Sequence, residues 1–267
     1  MNIQYKHVQG GGVPGGHNVI LSKHGNPFIT PMKECASIPL HHDDVIADIG
    51  AYVGTYAIRC ARFPVQKVIA YEPTKATFDI LNLTRLPNLH CINKAIVHDS
   101  RRTVEFFHAN GCGVTNSTIE KRGAEKTIVE CAKYDDAIRG ASIVKIDIEG
   151  GEYDLNIIQP SVRALIIDFH SVVPDWKDRA ENIIKQILSA GFTTVVKPNW
   201  DCGWTKAGSW VRDVPGSGIV YSPMMDGLIC CGCGCRLVPK GSKSICIECS
   251  MQWNKQHQKG FLTTVGY

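Results

Sequence analysis

The chain has 267 residues, of which 44% are hydrophobic and 20% charged, and its formal net charge is +4. This length allows one substantial core with a small appendage, and the composition is that of an ordinary globular protein. No apolar stretch reaches the roughly 18–20 residues that span a bilayer, and the N-terminus lacks the basic and apolar regions of a secretory signal. The sequence contains no run of basic residues of the kind that would indicate a dedicated nucleic-acid surface. We therefore expect a cytoplasmic protein that does not enter a membrane.

Strand and helix patterns alternate from Asp44 to about residue 222. We predict buried strands at 45–48, 67–72, 89–93, 142–147 and 164–168, helices ending at 62 and covering 77–84, 135–139 and 176–190, and a β excursion at 103–108 and 127–131. Strands near 192–197 and 218–222 are expected to complete the sheet. Apolar strands separated by helix-length segments favour an α/β, Rossmann-like fold, with a mostly parallel sheet and helices on both faces.

These patterns divide the chain into three parts. Residues 1–43 form an N-terminal segment that is expected to pack on the main domain, because they are rich in Gly and Pro and lack sustained periodicity. Residues 44–225 form the Rossmann-like domain. Residues 226–267 form a small cysteine-rich module.

A glycine turn follows the first predicted strand, where Asp48-Ile-Gly50-Ala-Tyr-Val-Gly54 leads into a helix. Glycines let the backbone approach a ligand closely, and a helix N-terminus presents free N–H groups. The acid before the glycines differs from the three-glycine pattern that binds a pyrophosphate, and it suits the cationic methionine portion of S-adenosylmethionine. Glu72 ends the next strand, where a carboxylate can accept hydrogen bonds from both ribose hydroxyls. The alternative is that Glu72 is a solvated strand terminus.

Charged residues at the ends of the fourth and fifth strands are the candidates for chemistry. On strand alternation, Lys145, Asp147 and Glu149 face the same way until the strand ends. We expect Asp147 near the sulfonium or the acceptor, and Glu149 and Glu152 to orient the acceptor, act as a base or together bind a divalent ion. Glu152 has the alternative of capping the following helix. His170, with an ordinary pKa of about 6.5, is either the general base or a partly buried histidine with satisfied hydrogen bonds.

Four strings in this order and spacing closely resemble the FkbM family of methyltransferases: Asp48 to Gly54, Ala70-Tyr-Glu72-Pro73, Asn93-Lys-Ala95 and Val144-Lys-Ile-Asp-Ile-Glu-Gly-Gly-Glu152. The resemblance covers about residues 44–222, and the last string is the most specific. The family has Asn where this chain has Tyr52. The resemblance implies a Rossmann-like fold and, for most members of known activity, methylation of oxygen. It also places the polar loop 112–118 on the substrate side.

Oxygen is the predicted acceptor because the motifs typical of amine and cytosine C5 methylation are missing from the sequence, and the motif of many ribose methyltransferases is not recognisable either. The turn after the fourth strand is Asp-Ile-Glu-Gly, which is not the Asp/Asn-Pro-Pro-aromatic turn typical of amine methylation. No Pro-Cys pair typical of cytosine C5 methylation occurs, and strand five has no lysine for the Lys-Asp-Lys-Glu set of many ribose methyltransferases. The predicted catalytic residues are Lys145, Asp147, Glu149 and His170. The predicted cofactor contacts are Asp48, Gly50, Ala51, Tyr52, Gly54, Thr55, Glu72, Pro73, Ala95 and Asp147.

Half of the 12 cysteines crowd into one short C-terminal stretch: Cys230, Cys231, Cys233, Cys235, Cys246 and Cys249. Two Cys-x2-Cys pairs at this separation match a zinc ribbon, and they predict a structural Zn2+ bound by Cys230, Cys233, Cys246 and Cys249. The alternatives are a register that uses Cys231 or Cys235, and cysteines that are unligated or disulfide-bonded. Lysines and aromatic residues nearby would allow the module to contact nucleic acid, dock on the main domain or mediate dimerisation.

The sequence thus favours an S-adenosylmethionine-dependent methyltransferase that acts on a hydroxyl of a sugar, glycan or small metabolite. One alternative is a nucleic-acid-modifying methyltransferase whose zinc module holds DNA or RNA. A second alternative is a non-catalytic binding or scaffold protein that keeps the same fold.

Overall fold

A computed structural model describes residues 38–108, 116–120, 124–198 and 205–212, together with short strands at 20–21, 27–28, 220–221, 227–229 and 237–239. The strands are β1 Ile20–Leu21, β2 Pro27–Phe28, β3 Leu40–His41, β4 Val45–Ile49, β5 Lys67–Tyr71, β6 Leu89–Ile92, β7 Ala95–Val97, β8 Thr103–His108, β9 Glu125–Lys133, β10 Ile143–Ile146, β11 Ala164–His170, β12 Thr193–Val196, β13 Thr205–Val211, β14 Val220–Tyr221, β15 Gly227–Ile229 and β16 Leu237–Pro239. The helices are α1 Thr55–Ala61, α2 Lys75–Leu81, α3 Tyr134–Ala137 and α4 Trp176–Ser189, with a 3-10 helix at Gly151–Asp154.

Seven strands form one sheet in the order β6-β5-β4-β10-β11-β13-β12. The pairings from β6 to β11 are parallel, whereas β13 runs antiparallel to both of its neighbours. One half of the sheet runs outward from β4 through β5 to β6, and the other half runs outward from β10 through β11 to β13 and β12. Open α/β sheets bind ligands where the strand order reverses in this way, at the carboxyl ends of the strands. The topology confirms the predicted Rossmann-like α/β fold.

Alternating side chains along β4 divide the core between the two faces of the sheet. Ala47 and Ile49 pack on the face that α3 and α4 cover, and Ile46 packs on the face that α1 covers. A strand buried on both faces needs a nearly continuous apolar run. This requirement explains why the central strands could be located from composition alone, with bounds within three residues of those observed.

The strand that completes the sheet differs from the prediction. The segment near 218–222 contains β14, which pairs with β3 in a separate two-stranded sheet, and the missing position is filled by β13. The β13 sequence is Thr-Lys-Ala-Gly-Ser-Trp-Val, which lacks the apolar alternation of a strand. Tertiary packing determines this strand: Trp210 is fully buried, and a Cβ added to Gly208 would lie 2.6 Å from its ring. Among the described residues, no helix has the length and apolar character that crossing a bilayer requires.

Candidate active site

Charged side chains replace apolar ones where the three central strands end. On the face that α1 covers, β4 ends with Asp48, β10 with Lys145 and the following Asp147, and β11 with Asp168 and His170. Because these strands are parallel neighbours, their carboxyl ends lie side by side. The loop after β10 adds two glutamates. We call the five acidic residues the acid cluster: Asp48, Asp147, Glu149, Glu152 and Asp168.

Lys145 and His170 connect the acid cluster through ion pairs. Lys145 Nζ lies 3.4 Å from Asp48 Oδ1 and 3.1 Å from Asp147 Oδ2. His170 Nε2 lies 3.5 Å from Asp147 Oδ1 and 3.3 Å from Glu149 Oε1. Four of the five carboxyl groups, all except that of Asp168, therefore pair with these two basic side chains. This excess of negative charge would stabilise a bound cation.

Glu152 is fully buried and fixes the orientation of the His170 ring. Its Oε1 accepts a hydrogen bond from the backbone N–H of His170 at 2.8 Å and lies 3.2 Å from ring Nδ1. Its Oε2 accepts a hydrogen bond from the N–H of Gly150 at 2.8 Å, and Gly150 caps the 3-10 helix. Glu152 thus contributes to the helix terminus and also joins the loop after β10 to the end of β11. The ring is held with Nε2 facing Asp147 and Glu149.

Burial and charge shift the pKa values of the aspartates differently. Burial raises the pKa of Asp48, although Lys145 acts in the opposite direction. Burial, followed by the charge of Asp147, raises the pKa of Asp168 to about 7. Burial also acts to raise the pKa of Asp147, but the charges of Lys145 and His170 bring it below its ordinary value. Asp147 is therefore an ionised carboxylate at neutral pH.

His170 carries a proton in this arrangement. Burial acts to lower its pKa, but hydrogen bonds to Glu149 and Glu152 and the charges of Glu152 and Asp147 raise the pKa well above the ordinary value. A protonated imidazole has no lone pair with which to accept another proton. The general-base role expected from an ordinary histidine therefore requires that this proton leave first.

The glycine turn after β4 lies directly against the loop after β10. Gly50 has a φ of 80°, and a Cβ added to it would lie 1.8 Å from the carbonyl oxygen of Asp147. The N–H groups of Gly50 and Ala51 both donate to the carbonyl oxygen of Tyr71, at 3.0 and 2.9 Å. A side chain at position 50 would therefore separate two backbones that are in contact.

Asp48 lies beneath the glycine turn and has no exposed surface. Its Oδ2 accepts a hydrogen bond from the N–H of Ala57 in the first turn of α1, at 3.1 Å, and its Oδ1 faces Lys145. In this conformation the charge of Asp48 would act on a bound cofactor, but the carboxylate oxygens of Asp48 would not contact that cofactor. The helix that Asp48 supports begins at Gly54 and Thr55, and Gly54 has a φ of 91°.

Glu72 connects the end of β5 to the glycine turn. Its Oε2 accepts a hydrogen bond from the N–H of Tyr52, and its Oε1 accepts hydrogen bonds from the N–H of Thr74 and the hydroxyl of Thr77, all at 2.8 Å. The residue is 6% exposed, so it is not a solvated strand terminus. Burial raises the pKa of Glu72 although these hydrogen bonds act to lower it. The Thr74 hydroxyl provides a fourth hydrogen bond, and because a carboxylate has about four acceptor positions, a ligand hydroxyl would replace one of these donors.

Two non-glycine residues with left-handed backbones flank the crevice between the glycine turn and the loop after β10. Tyr52 has a φ of 52° and Glu149 has a φ of 56°. This conformation costs about 1–3 kcal/mol and is frequent at functional sites. Asn adopts it more readily than Tyr, which gives a physical reason for the Asn that the FkbM family has at position 52.

Residues 116–120, which include the described end of the polar loop 112–118, lie across the crevice between the glycine turn and the loop after β10. Ser117 is fully buried, and its hydroxyl donates to the carbonyl oxygen of Glu149 at 2.6 Å and accepts a hydrogen bond from the N–H of Ile119 at 2.9 Å. The Asn116 side chain donates to the hydroxyl of Thr74 at 3.1 Å. No motif in the sequence indicated a contact between Ser117 and Glu149, because it depends on how the loop folds.

The remaining predicted residues are Pro73 and Ala95, which follow β5 and β6, and the zinc ligands. Pro73 follows Glu72, and Asn93 donates from its side chain to the carbonyl oxygens of both, at 3.0 and 2.7 Å. Ala95 begins β7, two residues after Asn93, and is buried in the small core of a three-stranded sheet of order β7-β9-β8; its predicted contact with the cofactor stays a prediction. The predicted zinc ligands Cys230, Cys233, Cys246 and Cys249 lie outside the described residues.

Comparisons with known proteins bear on this geometry. No protein-family model matches the chain. The chain is 30% identical over 173 residues to the hexuronic acid methyltransferase AglP of Haloferax volcanii, an alignment that covers 60% of this chain and 68% of AglP.

Two solved structures are also similar. Precorrin-6Y C5,15-methyltransferase of Geobacter metallireducens GS-15 aligns with a TM-score of 0.40 and 12% identity, covering 67% of this chain and 86% of that one. TrmK of M. capricolum, in complex with S-adenosylhomocysteine, aligns with a TM-score of 0.40 and 10% identity, covering 67% of this chain and 66% of that one. From the identity with AglP and the strand order of the sheet, we conclude that the chain belongs to the methyltransferase family of AglP and has the Rossmann-like fold of S-adenosylmethionine-dependent methyltransferases.

Proposed function

We propose that this methyltransferase transfers a methyl group from S-adenosylmethionine to a hydroxyl of a hexuronic acid, free or within a glycan, and that it is a member of the FkbM family. The acid cluster beside the glycine turn is the observation that carries the proposal. AglP is named for a hexuronic acid, and the motifs at 48–54 and 144–152 support the family and an oxygen acceptor. Within the described residues, no observation favours a nucleic-acid acceptor, and membership of a methyltransferase family does not support a non-catalytic scaffold.

The described residues fit a cofactor that carries positive charge. The crevice has more carboxylates than basic groups, and the buried Glu72 carboxylate lies beside the glycine turn. Residues 50–54, Glu72 and Asp147 would hold the cofactor. When bound, the cofactor would supply a methyl carbon activated by positive sulfur, and sulfur would keep the electron pair of the bond that the acceptor oxygen replaces.

Glu149 is the carboxylate best placed to take the proton of the acceptor hydroxyl. Its side chain is 13% exposed and the Ser117 hydroxyl holds its backbone, whereas the more exposed Asp147, at 26%, would hold the cofactor. His170 orients Glu149 through Nε2, which lies 3.3 Å from Glu149 Oε1. The acceptor proton passes to Glu149 as the oxygen–carbon bond forms, and the transfer needs no further reactant.

A methylation assay with a glucuronic acid oligosaccharide and its neutral glucose counterpart tests this proposal. We expect the uronate to be methylated faster than the neutral sugar. The Glu149→Gln variant is expected to lose about 100-fold or more in turnover with little change in cofactor affinity, because a general base contributes at least that much. The exposed Glu105→Gln variant, which makes the same change of charge, serves as the control. Equal rates on both sugars would contradict the acceptor, and full turnover by Glu149→Gln would contradict the base.

For residues 226–267 we propose a zinc-binding module in a cytoplasmic protein, since clustered thiols favour metal ligation where cysteines stay reduced. Purified full-length protein is expected to contain about one Zn2+ per chain. Cys246→Ser should lose the metal, and Cys231→Ser should retain it, as measured by elemental analysis. Zinc lost from Cys231→Ser and retained by Cys246→Ser would contradict the proposed ligands, and a metal-free protein would contradict the module.

A further inference from the structure

We propose that Asp147, Glu149 and His170 bind one divalent cation that prefers oxygen and nitrogen ligands, such as Mn2+ or Mg2+. The cation would bridge these side chains to the carboxylate and a neighbouring hydroxyl of the acceptor. This bridging role rests on the proposed uronate acceptor, whereas the cation site itself rests on the geometry of the protein.

The three side chains have the spacing of a metal site. His170 Nε2 lies 3.5 Å from Asp147 Oδ1 and 3.3 Å from Glu149 Oε1, and one ligand atom from each residue lies within 4.8 Å of the others. An ion with ligands at about 2.1 Å places neighbouring donors about 3.0–3.4 Å apart. Two carboxylate oxygens and one imidazole nitrogen suit Mg2+ or Mn2+ better than they suit metals that prefer thiolates. Glu149 would bind the cation with Oε1 and would take the acceptor proton on Oε2.

Glu152 gives His170 the support that metal-binding histidines usually have. Such a histidine donates its second ring N–H to a carboxylate or carbonyl, which fixes the tautomer and the orientation of the ring. Here Glu152 Oε1 lies 3.2 Å from Nδ1 and also accepts the backbone N–H of His170 at 2.8 Å. The nitrogen left to face Asp147 and Glu149 is Nε2, so the ring is oriented for ligation, and a cation that binds there would displace the proton from Nε2.

Asp168 provides a second, independent indication of a ligand. It is 8% exposed, and its Oδ1 has no hydrogen-bond partner among the described residues. On β11 it lies two residues before His170 and therefore on the same face of the sheet. Leaving a buried carboxylate oxygen without a donor is unfavourable. A cation in the adjacent site, or a water molecule bound to that cation, would compensate this oxygen.

The negative charge of a uronate acceptor would explain why a cation is needed at this site. A uronate brings a carboxylate to a crevice in which, among the described residues, four carboxyl groups pair with Lys145 and His170. Like charges at such short range repel each other. A divalent ion between the acceptor and the acid cluster turns this repulsion into attraction, and it also favours ionisation of a bound hydroxyl.

Electron paramagnetic resonance of Mn2+ tests the site on full-length protein that has been freed of weakly bound ions and that keeps any cysteine-bound zinc. We expect wild-type protein to bind one Mn2+ per chain and Mg2+ to compete for it. Glu149→Gln and His170→Asn should weaken Mn2+ binding by about tenfold or more, and Glu152→Gln by about 10–100-fold. The matched control is Glu105→Gln, which removes an exposed acid outside the site.

The resonance experiment does not depend on turnover, so the two proposals fail separately. Absence of bound Mn2+, or equal binding by wild type and Glu149→Gln, would overturn the cation site. Uronate methylation by a protein that binds no Mn2+ would do the same and leave the proposed function standing. Mn2+ binding without methylation of any uronate would support the site and overturn the bridging role together with the proposed acceptor.

Discussion

Replacing Gly50 with alanine is expected to destabilise the protein strongly and to remove cofactor binding. The left-handed backbone alone costs an alanine about 1–2 kcal/mol. The added Cβ would also lie 1.8 Å from the carbonyl oxygen of Asp147, a backbone atom that cannot rotate away. We therefore expect a total loss of more than about 3 kcal/mol in the free energy of unfolding, as in other cases of overpacking and strain. Urea unfolding measures this loss.

Gly140→Ala is the matched control for this prediction. Gly140 has a φ of 77°, close to that of Gly50, but a Cβ added there would meet nothing within 4 Å. Its replacement should therefore show only the conformational cost of about 1–2 kcal/mol. If Gly50→Ala is no more destabilising than Gly140→Ala, the contact between the glycine turn and the loop after β10 is not as described.

Replacing Glu72 with alanine should weaken binding of S-adenosylmethionine by at least about tenfold. The change removes a charged acceptor for a ribose hydroxyl, and hydrogen bonds to charged groups contribute about 1.5–3 kcal/mol. It also leaves the N–H groups of Tyr52 and Thr74 without their acceptor, so the glycine turn loses its connection to β5. Some loss of stability is expected as well, because each buried donor without a partner costs about 1–3 kcal/mol.

Thr77→Val separates the two effects of Glu72. The valine removes one hydrogen bond to Glu72 Oε1 but leaves the carboxylate and its contacts with Tyr52 and Thr74. Cofactor affinity should therefore stay close to that of the wild type. A large loss of affinity in Thr77→Val would show that general loosening of this region, rather than the carboxylate, determines binding.

Much of the fold could be predicted because buried parallel strands have a simple sequence pattern. The runs at β4 and β10 are mostly apolar on both faces, and an acid marks the carboxyl edge of the sheet at each: Asp48 near the end of β4 and Asp147 directly after β10. The same logic could not locate β13, where Gly208 and Ser209 are buried by close packing of Trp210. Short polar strands of this kind are determined by their neighbours rather than by their own side chains.

Most residues of the candidate site could be predicted from the sequence, but their roles could not, and Asp168 was not among the predicted residues. Position at strand ends identified Glu72, Asp147 and His170, since parallel strands bring such residues together. The proton held by His170 was not predictable, because it depends on Glu149 and Glu152 lying within hydrogen-bonding distance across about twenty residues of sequence. The burial of Asp48 beneath the glycine turn likewise depends on where α1 packs.

The central claim is that the glycine turn, with Glu72 beside it, holds a cationic cofactor at the carboxyl ends of β4 and β5. Calorimetric titration of folded wild-type and Glu72→Ala protein with S-adenosylmethionine tests it most directly. We expect the wild type to bind one cofactor per chain and the variant to bind it about tenfold or more weakly. No heat with the wild type, or equal affinity in both proteins, would contradict it.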